Sequence, residues 1–204
     1  MNDIKQNAIQ NLEDIKNILD SFNVNFWLDG GTLLGAYRDK DFPEGDEDDV
    51  DLGCFYKDVE NKIDKIISEA EKLGFVLYHR WKYQVALKRG GNKIDIFYNR
   101  RFNDKAVYFI YKGVKEVLIS GLYEKDINGN LWLCIPTVTP VKYLDELGAI
   151  NFYGMEFDRP SRIEEYLTLK YGDWKIKVSR KEYSNAGGCY NPEVFKILNN
   201  EFFY

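Results

Sequence analysis

The segment "WLDGGTLLGAYRDKDFPEGDEDDVDLGCFY", Trp27 to Tyr56, limits the choice of fold more than any other, because six of the eight residues from Glu44 to Asp51 are acidic. Carboxylates so crowded raise one another's energy, so the chain must either spread them into solvent or gather them around a cation. Alternation bears on the choice. As a strand, "DDVDLG" sends Asp49 and Asp51 to one face and Val50 and Leu52 to the other, against a core. The stretch "KIDIF" repeats the device, with Ile94 and Ile96 on the buried face and Lys93, Asp95 and Phe97 opposite. If the two strands are neighbours, Asp95 joins Asp49 and Asp51 as a third carboxylate of a hard-cation site, for which one or two Mg²⁺ or Mn²⁺ ions are the expected occupants. The competing readings are an ordinary cross-strand ion pair for Asp95, which Lys93 flanks on its own strand, and a solvated acidic loop.

Upstream, Gly30-Gly31-Thr32 follows a short apolar strand and opens a short helix, with Thr32 placed to cap it. Backbone N–H groups at such a turn form an anion nest, and glycine lets a phosphate come close to the chain. Arg38, one or two helical turns on, can add a guanidinium to the same anion, or it pairs with Asp39 or Glu44. Familiar alternatives fail on spacing. An EF-hand starting at Asp46 needs Asp or Asn and then Gly where the chain has Val50 and Asp51. A dinucleotide fingerprint needs its second glycine one place later than "GGTLLG" provides.

Apolar spacing marks helices over Asp3 to Phe22 and Lys57 to Leu73, and strands in "VNFWLDGG" and Val50 to Phe55. From Phe75 to about Tyr123, "FVLYHRW", "YQVALKR", "KIDIFYNR", "AVYFIYK" and "VLISGLY" read as successive strands. This order gives an α+β class with a mixed sheet flanked by helices. "NGNLWLCIP" reads as a hairpin arm, and "PVKYLDELG" and "RIEEYLTLKYG" as helices covering the sheet. At 204 residues, 45% hydrophobic and 30% charged, the chain fits one domain over 1–204, with a catalytic core in 1–135 and a helical C-terminal portion in 136–204.

A net charge of -5 argues against double-stranded nucleic acid as a partner. The local basic stretch containing Lys88, Arg89, Lys93, Arg100, Arg101 and Lys105 reads as a charged strand edge or as an anion-facing surface. Cys54, Cys134 and Cys189 are too scattered for a disulfide framework or a zinc knuckle, so a reducing, cytoplasmic setting is expected. No apolar run has the length of a membrane span, which leaves room for peripheral membrane association. His79, without a second ligand-type residue nearby, reads as structural. Tyr171 and Trp174 read as core aromatics, and "NAGGCYNP" as a connecting loop.

The stretch "DGGTLLGAYRDKDFPEGDEDDVDLG" resembles the signature of the LicD/fukutin family, with its G-T-L-L-G-x-x-R turn, Pro-containing loop and D-D-x-D run. "RPSRIEEYLTLKYGDW", Arg159 to Trp174, resembles the same family's C-terminal part. The resemblance implies a nucleotidyltransferase (polymerase-β-like) fold. It also implies transfer of a phosphorylated alcohol, such as phosphocholine or ribitol phosphate, from a CDP-alcohol donor to a hydroxyl of a glycan or lipid-linked sugar, with CMP released. By the same resemblance Asp49, Asp51 and Asp95 hold the metal, Asp95 helps deprotonate the acceptor, Gly30, Gly31 and Thr32 seat the diphosphate, and Arg38 matches the family's arginine. Where family members often place Pro-Trp directly before the Asp run, this chain has Pro43 followed by "EGDE" and one more residue. Two other functions use the same groups: transfer of an NMP group from an NTP, and nucleotide binding without turnover.

Overall fold

The position of every element follows from two strands that bury the same kind of face. In the computed structural model, which describes residues 3–113 and 123–178, β2 (Asp49–Phe55) and β5 (Asn92–Phe102) run parallel, with Val50 opposite Ile94 and Leu52 opposite Ile96. All four aliphatic side chains are fully buried, each stabilising the fold by about 1.5–3 kcal/mol. A one-residue slip of β2 would drive Asp49 and Asp51 into that core, so the apolar pattern fixes the register and with it the carboxylates.

The remaining elements pack around this pair. Helix α1 (Asp3–Ser21) buries Ala8, Leu12, Ile15 and Leu19 against the core. Strand β1 (Phe26–Leu28) pairs antiparallel with β2, and α2 (Gly30–Arg38) follows it directly. The helix expected over Lys57 to Leu73 is broken into α3 (Tyr56–Val59) and α4 (Ile63–Lys72), which ends at Gly74 with φ +86°. Strands β3 (Val76–Trp81) and β4 (Gln84–Arg89) extend the sheet beyond β5. The far end of β5 bends away to pair with β6 (Lys105–Gly113), which pairs with β8 (Leu131–Pro140), and β8 in turn with the short β7 (Tyr123–Lys125). Of the expected strand "VLISGLY", all but Tyr123 lies outside the described residues, as do Cys189 and "NAGGCYNP".

The chain after Pro140 departs from the helical cover that the sequence suggests. "PVKYLDELG" makes only a single 3₁₀ turn, Val141–Tyr143, and the chain then forms a hairpin of β9 (Leu147–Phe152) and β10 (Met155–Pro160). Strand β10 joins β1 in parallel, with Trp27 opposite Asp158, so this segment completes the mixed sheet where a helical cover was expected. The hairpin tip at Tyr153-Gly154, both with positive φ, supplies the reversal that a helix reading overlooks. Among the described residues only α5 (Ile163–Tyr171) confirms a helix in this region.

Candidate metal centre

Asp51 lies opposite Asp95 in the β2–β5 ladder, and Asp49 opposite Lys93, so all four side chains project from the face that the core leaves free. One oxygen from each of Asp49, Asp51 and Asp95 falls within 4.8 Å of the other two. Lys93 Nζ stands 2.8 Å from Asp95 Oδ2 and 3.2 Å from Asp49 Oδ1. Asp95 is buried, and its Oδ1 accepts no well-formed hydrogen bond among the described residues, although the Gln84 side chain comes near enough to favour the ionised carboxylate.

Burial and the neighbouring carboxylates push Asp51 well above the usual carboxylate range. Burial, with Asp49 adding to it, lifts Asp95 to about 6 even though Lys93 pulls the other way. For Lys93, burial alone would weaken the charged form, but Asp95 and Asp49 outweigh it and hold the ammonium protonated. A pocket so rich in mutually repelling charge is one that a hard cation stabilises.

The glycine turn serves this centre in an unexpected way. Asp29, not Thr32, is the N-cap of α2, and its Oδ1 accepts from Gly30 N at 2.8 Å. Gly31 N donates to Asp51 Oδ2 at 2.8 Å, and Asp51 N donates to Thr32 Oγ1 at 2.9 Å. The turn therefore clamps Asp51 from both its main chain and its side chain. A Cβ on Gly30 would lie 2.1 Å from Asp51 Oδ2, and one on Gly31 2.5 Å from Asp46 Oδ2, so the glycines are needed for carboxylates of this same chain to come close.

Asp29 itself is held from the other end of the chain. Its Oδ1 accepts from Tyr166 Oη at 2.7 Å and from Lys170 Nζ, both on α5, and both partners are buried. The sequence pattern missed Lys170, since a lysine in an amphipathic helix ordinarily faces solvent. Asp29 carried a readable sign that went unused: an Asp directly before a helix start is a capping residue.

A cavity of about 920 Å³ opens over the carboxylates, and its lining includes Arg38, Phe97, Tyr108 and Tyr171. Arg38 sits on its wall, paired with Asp39 at 2.7 Å and donating to Trp174 O at 3.1 Å, while Lys177 reaches the other Asp39 oxygen at 2.8 Å. Arg38 and Lys177 thus share the Asp39 carboxylate on a wall of the same cavity as the acidic centre. Trp174 packs in the core against Tyr37, whereas Tyr171 lines the cavity. Of the basic stretch, Lys93 alone joins the carboxylates: Arg89 binds Asp14, Arg101 binds Asp145, and Arg100 lies over the rings of Tyr56 and Tyr83. His79 is buried, stacks on Trp81 and lies 3.3 Å from Asp126, in agreement with a structural role.

Fold and site thus define an α+β protein with a three-carboxylate centre at the floor of a cleft. The family model described as "LicD/FKTN/FKRP, nucleotidyltransferase domain" matches residues 23–162, and the chain belongs to that family. The ribitol 5-phosphate transferase FKRP of Mus musculus is 27% identical over 175 residues, covering 82% of this chain and 31% of the relative. Its counterpart in Homo sapiens is 28% identical over 169 residues, covering 78% and 30%. The protein RT0683 of Rickettsia typhi is 31% identical over 102 residues, covering 50% and 31%. The chain therefore spans about a third of the length of these curated relatives. Among solved structures, ANT(2'')-Ia in complex with adenylyl-2''-tobramycin overlaps 97% of each chain at a TM-score of 0.46 and 15% identity, a likeness too weak to carry an argument.

Proposed function

We propose that the chain is a metal-dependent phosphotransferase, which moves a phosphorylated alcohol from a CDP-activated donor onto a hydroxyl of a glycan or its lipid-linked precursor. The observation that carries this reading is the convergence of Asp49, Asp51 and Asp95 within a chain of the LicD/FKTN/FKRP family. The residues fit a divalent ion: three carboxylates supply hard oxygen donors, and Asp95 Oδ1 is buried with no well-formed hydrogen bond among the described residues to satisfy it. When bound, Mg²⁺ or Mn²⁺ supplies Lewis-acid neutralisation of the diphosphate and of the leaving phosphate.

The chain's own groups do the rest by position. Asp95 accepts the proton of the acceptor hydroxyl, whose oxygen attacks the phosphorus bearing the alcohol. The bond from that phosphorus to the bridging oxygen breaks, and CMP departs with the oxygen and the electron pair. Two amides of the glycine turn are already held by Asp29 and Asp51, so in this reading Gly30, Gly31 and Thr32 act by seating Asp51. Cationic contact with the phosphates falls to the Arg38–Asp39–Lys177 wall.

Thermal unfolding with CMP, CDP-ribitol, CDP-choline and each NTP, with and without Mn²⁺, tests the reading, followed by assay of the released product. Metal-dependent stabilisation by a CDP-alcohol, with CMP released and the release lost in Asp49→Asn, is the expected result. Selective stabilisation by an NTP with pyrophosphate release would replace it by nucleotidyl transfer. Nucleotide binding without turnover would replace it by a binding module.

A further inference from the structure

Lys93 is built into the carboxylate centre. The parallel ladder sets it opposite Asp49, and strand alternation puts it on the same face as Asp95, two residues along. Its backbone N–H donates to Asp48 O at 2.8 Å, and the preceding Asn92, fully buried, donates from Nδ2 to Glu47 O and to Ile4 O, both at 3.0 Å. The stem is thereby anchored to the acidic loop and to α1, and Nζ lies between Asp49 Oδ1 and Asp95 Oδ2.

That position is one that a second metal bridging Asp49 and Asp95 would take. Two-metal sites place their ions about 3.5–4 Å apart and use carboxylates to join them. Here an ammonium already joins Asp49 to Asp95, at 3.2 and 2.8 Å. The other Asp95 oxygen, Oδ1, is buried without a well-formed hydrogen bond among the described residues. One oxygen from each carboxylate fits a 4.8 Å span, close to the width of a single octahedral ion, whose opposite ligands stand about 4.2 Å apart. With a cation bound and all three carboxylates ionised, they and the ammonium carry two negative charges between them, which one divalent ion balances.

We propose that Lys93 is a fixed cation standing in place of a second metal, so that this centre takes one divalent ion and excludes another. The inference rests on the metal-centre reading given above and adds an assignment of its stoichiometry to one side chain. Lys93 thus sets how the centre is charged before any donor arrives.

Equilibrium dialysis with Mn²⁺, read by electron paramagnetic resonance and without any nucleotide, tests it on the full chain. The wild-type protein is expected to take one Mn²⁺ with the six-line spectrum of an isolated ion. Lys93→Met should take two, with the broadened spectrum of a coupled pair, and Lys93→Arg should stay at one. Circular dichroism checks the folding of each variant, and Lys93→Gln replaces Lys93→Met if the latter does not fold. Two ions in the wild type, or one ion in a folded Lys93→Met, would overturn the assignment while leaving the metal centre in place. Failure of the wild type to bind Mn²⁺ at all would overturn the assignment and the metal-centre reading together.

Discussion

Gly30 has φ +52°, and any side chain there would meet the Asp51 carboxylate. Gly30→Ala combines a left-handed backbone penalty with displacement of Asp51, so it should cost about 1–3 kcal/mol in urea unfolding and weaken Mn²⁺ binding at least tenfold by titration. A second prediction at this scale concerns pH. Burial holds Asp95 near 6 in the folded protein, above the ordinary carboxylate value of about 3.9, so it binds a proton more tightly than the unfolded chain does. Protons are then in excess on the folded side between about pH 4 and 6, so stability falls as pH rises through that window. Metal-free protein should be more stable at pH 5 than at pH 7.5 by on the order of 1–3 kcal/mol or more in a thermal scan, and because Asp51 is raised in the same direction, Asp95→Asn should remove only part of the difference. Asp49, Asp51 and Asp95 were legible because strand alternation is a local rule, and the ladder had only to put two such strands side by side. The turn was half legible: the sequence marks Gly30-Gly31 as a place of close approach, but not that the approaching groups belong to the chain itself.

Helix α5 reaches the site through one buried ion pair, Lys170 with Asp29, and through the Tyr166 hydroxyl. Removing one partner of such a pair leaves an uncompensated charge, so Lys170→Met should destabilise by about 3–5 kcal/mol in denaturant unfolding. The double variant Asp29→Asn with Lys170→Met should recover much of that loss, because the amide oxygen can still cap α2 at Gly30 N. No window of sequence announces this link, since its ends lie 141 residues apart. Distance along the chain also explains the misread C-terminal third. "PVKYLDELG" carries helix-forming residues, but the exposed edge of β1 offers a ladder to the β9–β10 hairpin, and that tertiary pairing overrides local propensity. The break between α3 and α4 has a similar origin: apolar spacing runs through Lys57 to Leu73, but α3 is tied to the end of β2 while α4 packs beneath α1.

For the molecule as a whole, binding of a cation to the folded state alone shifts the unfolding equilibrium by mass action. Mn²⁺ at a hundredfold excess over its dissociation constant should add about 2.7 kcal/mol, a rise in Tm of roughly 5–10 °C for a chain of this size, reversed by a chelator. The class of the fold was legible because the order of helices and strands is written in periodicities, whereas the course of the sheet past β1 depends on long-range pairings that periodicity does not encode. One of those pairings has a consequence for biosynthesis. Asp29 leaves the ribosome 141 residues ahead of Lys170, an interval on the order of ten seconds at ordinary elongation rates. Until α5 is made the cap of α2 lacks its buried counter-ion, and until β10 is made β1 lacks its parallel partner, so the nascent chain carries Asp49, Asp51 and Asp95 before the support for them has been translated. Maturation of the centre thus waits for α5 to be translated, and a ribosome stalled before Lys170 would present the carboxylates without the clamp that orders them.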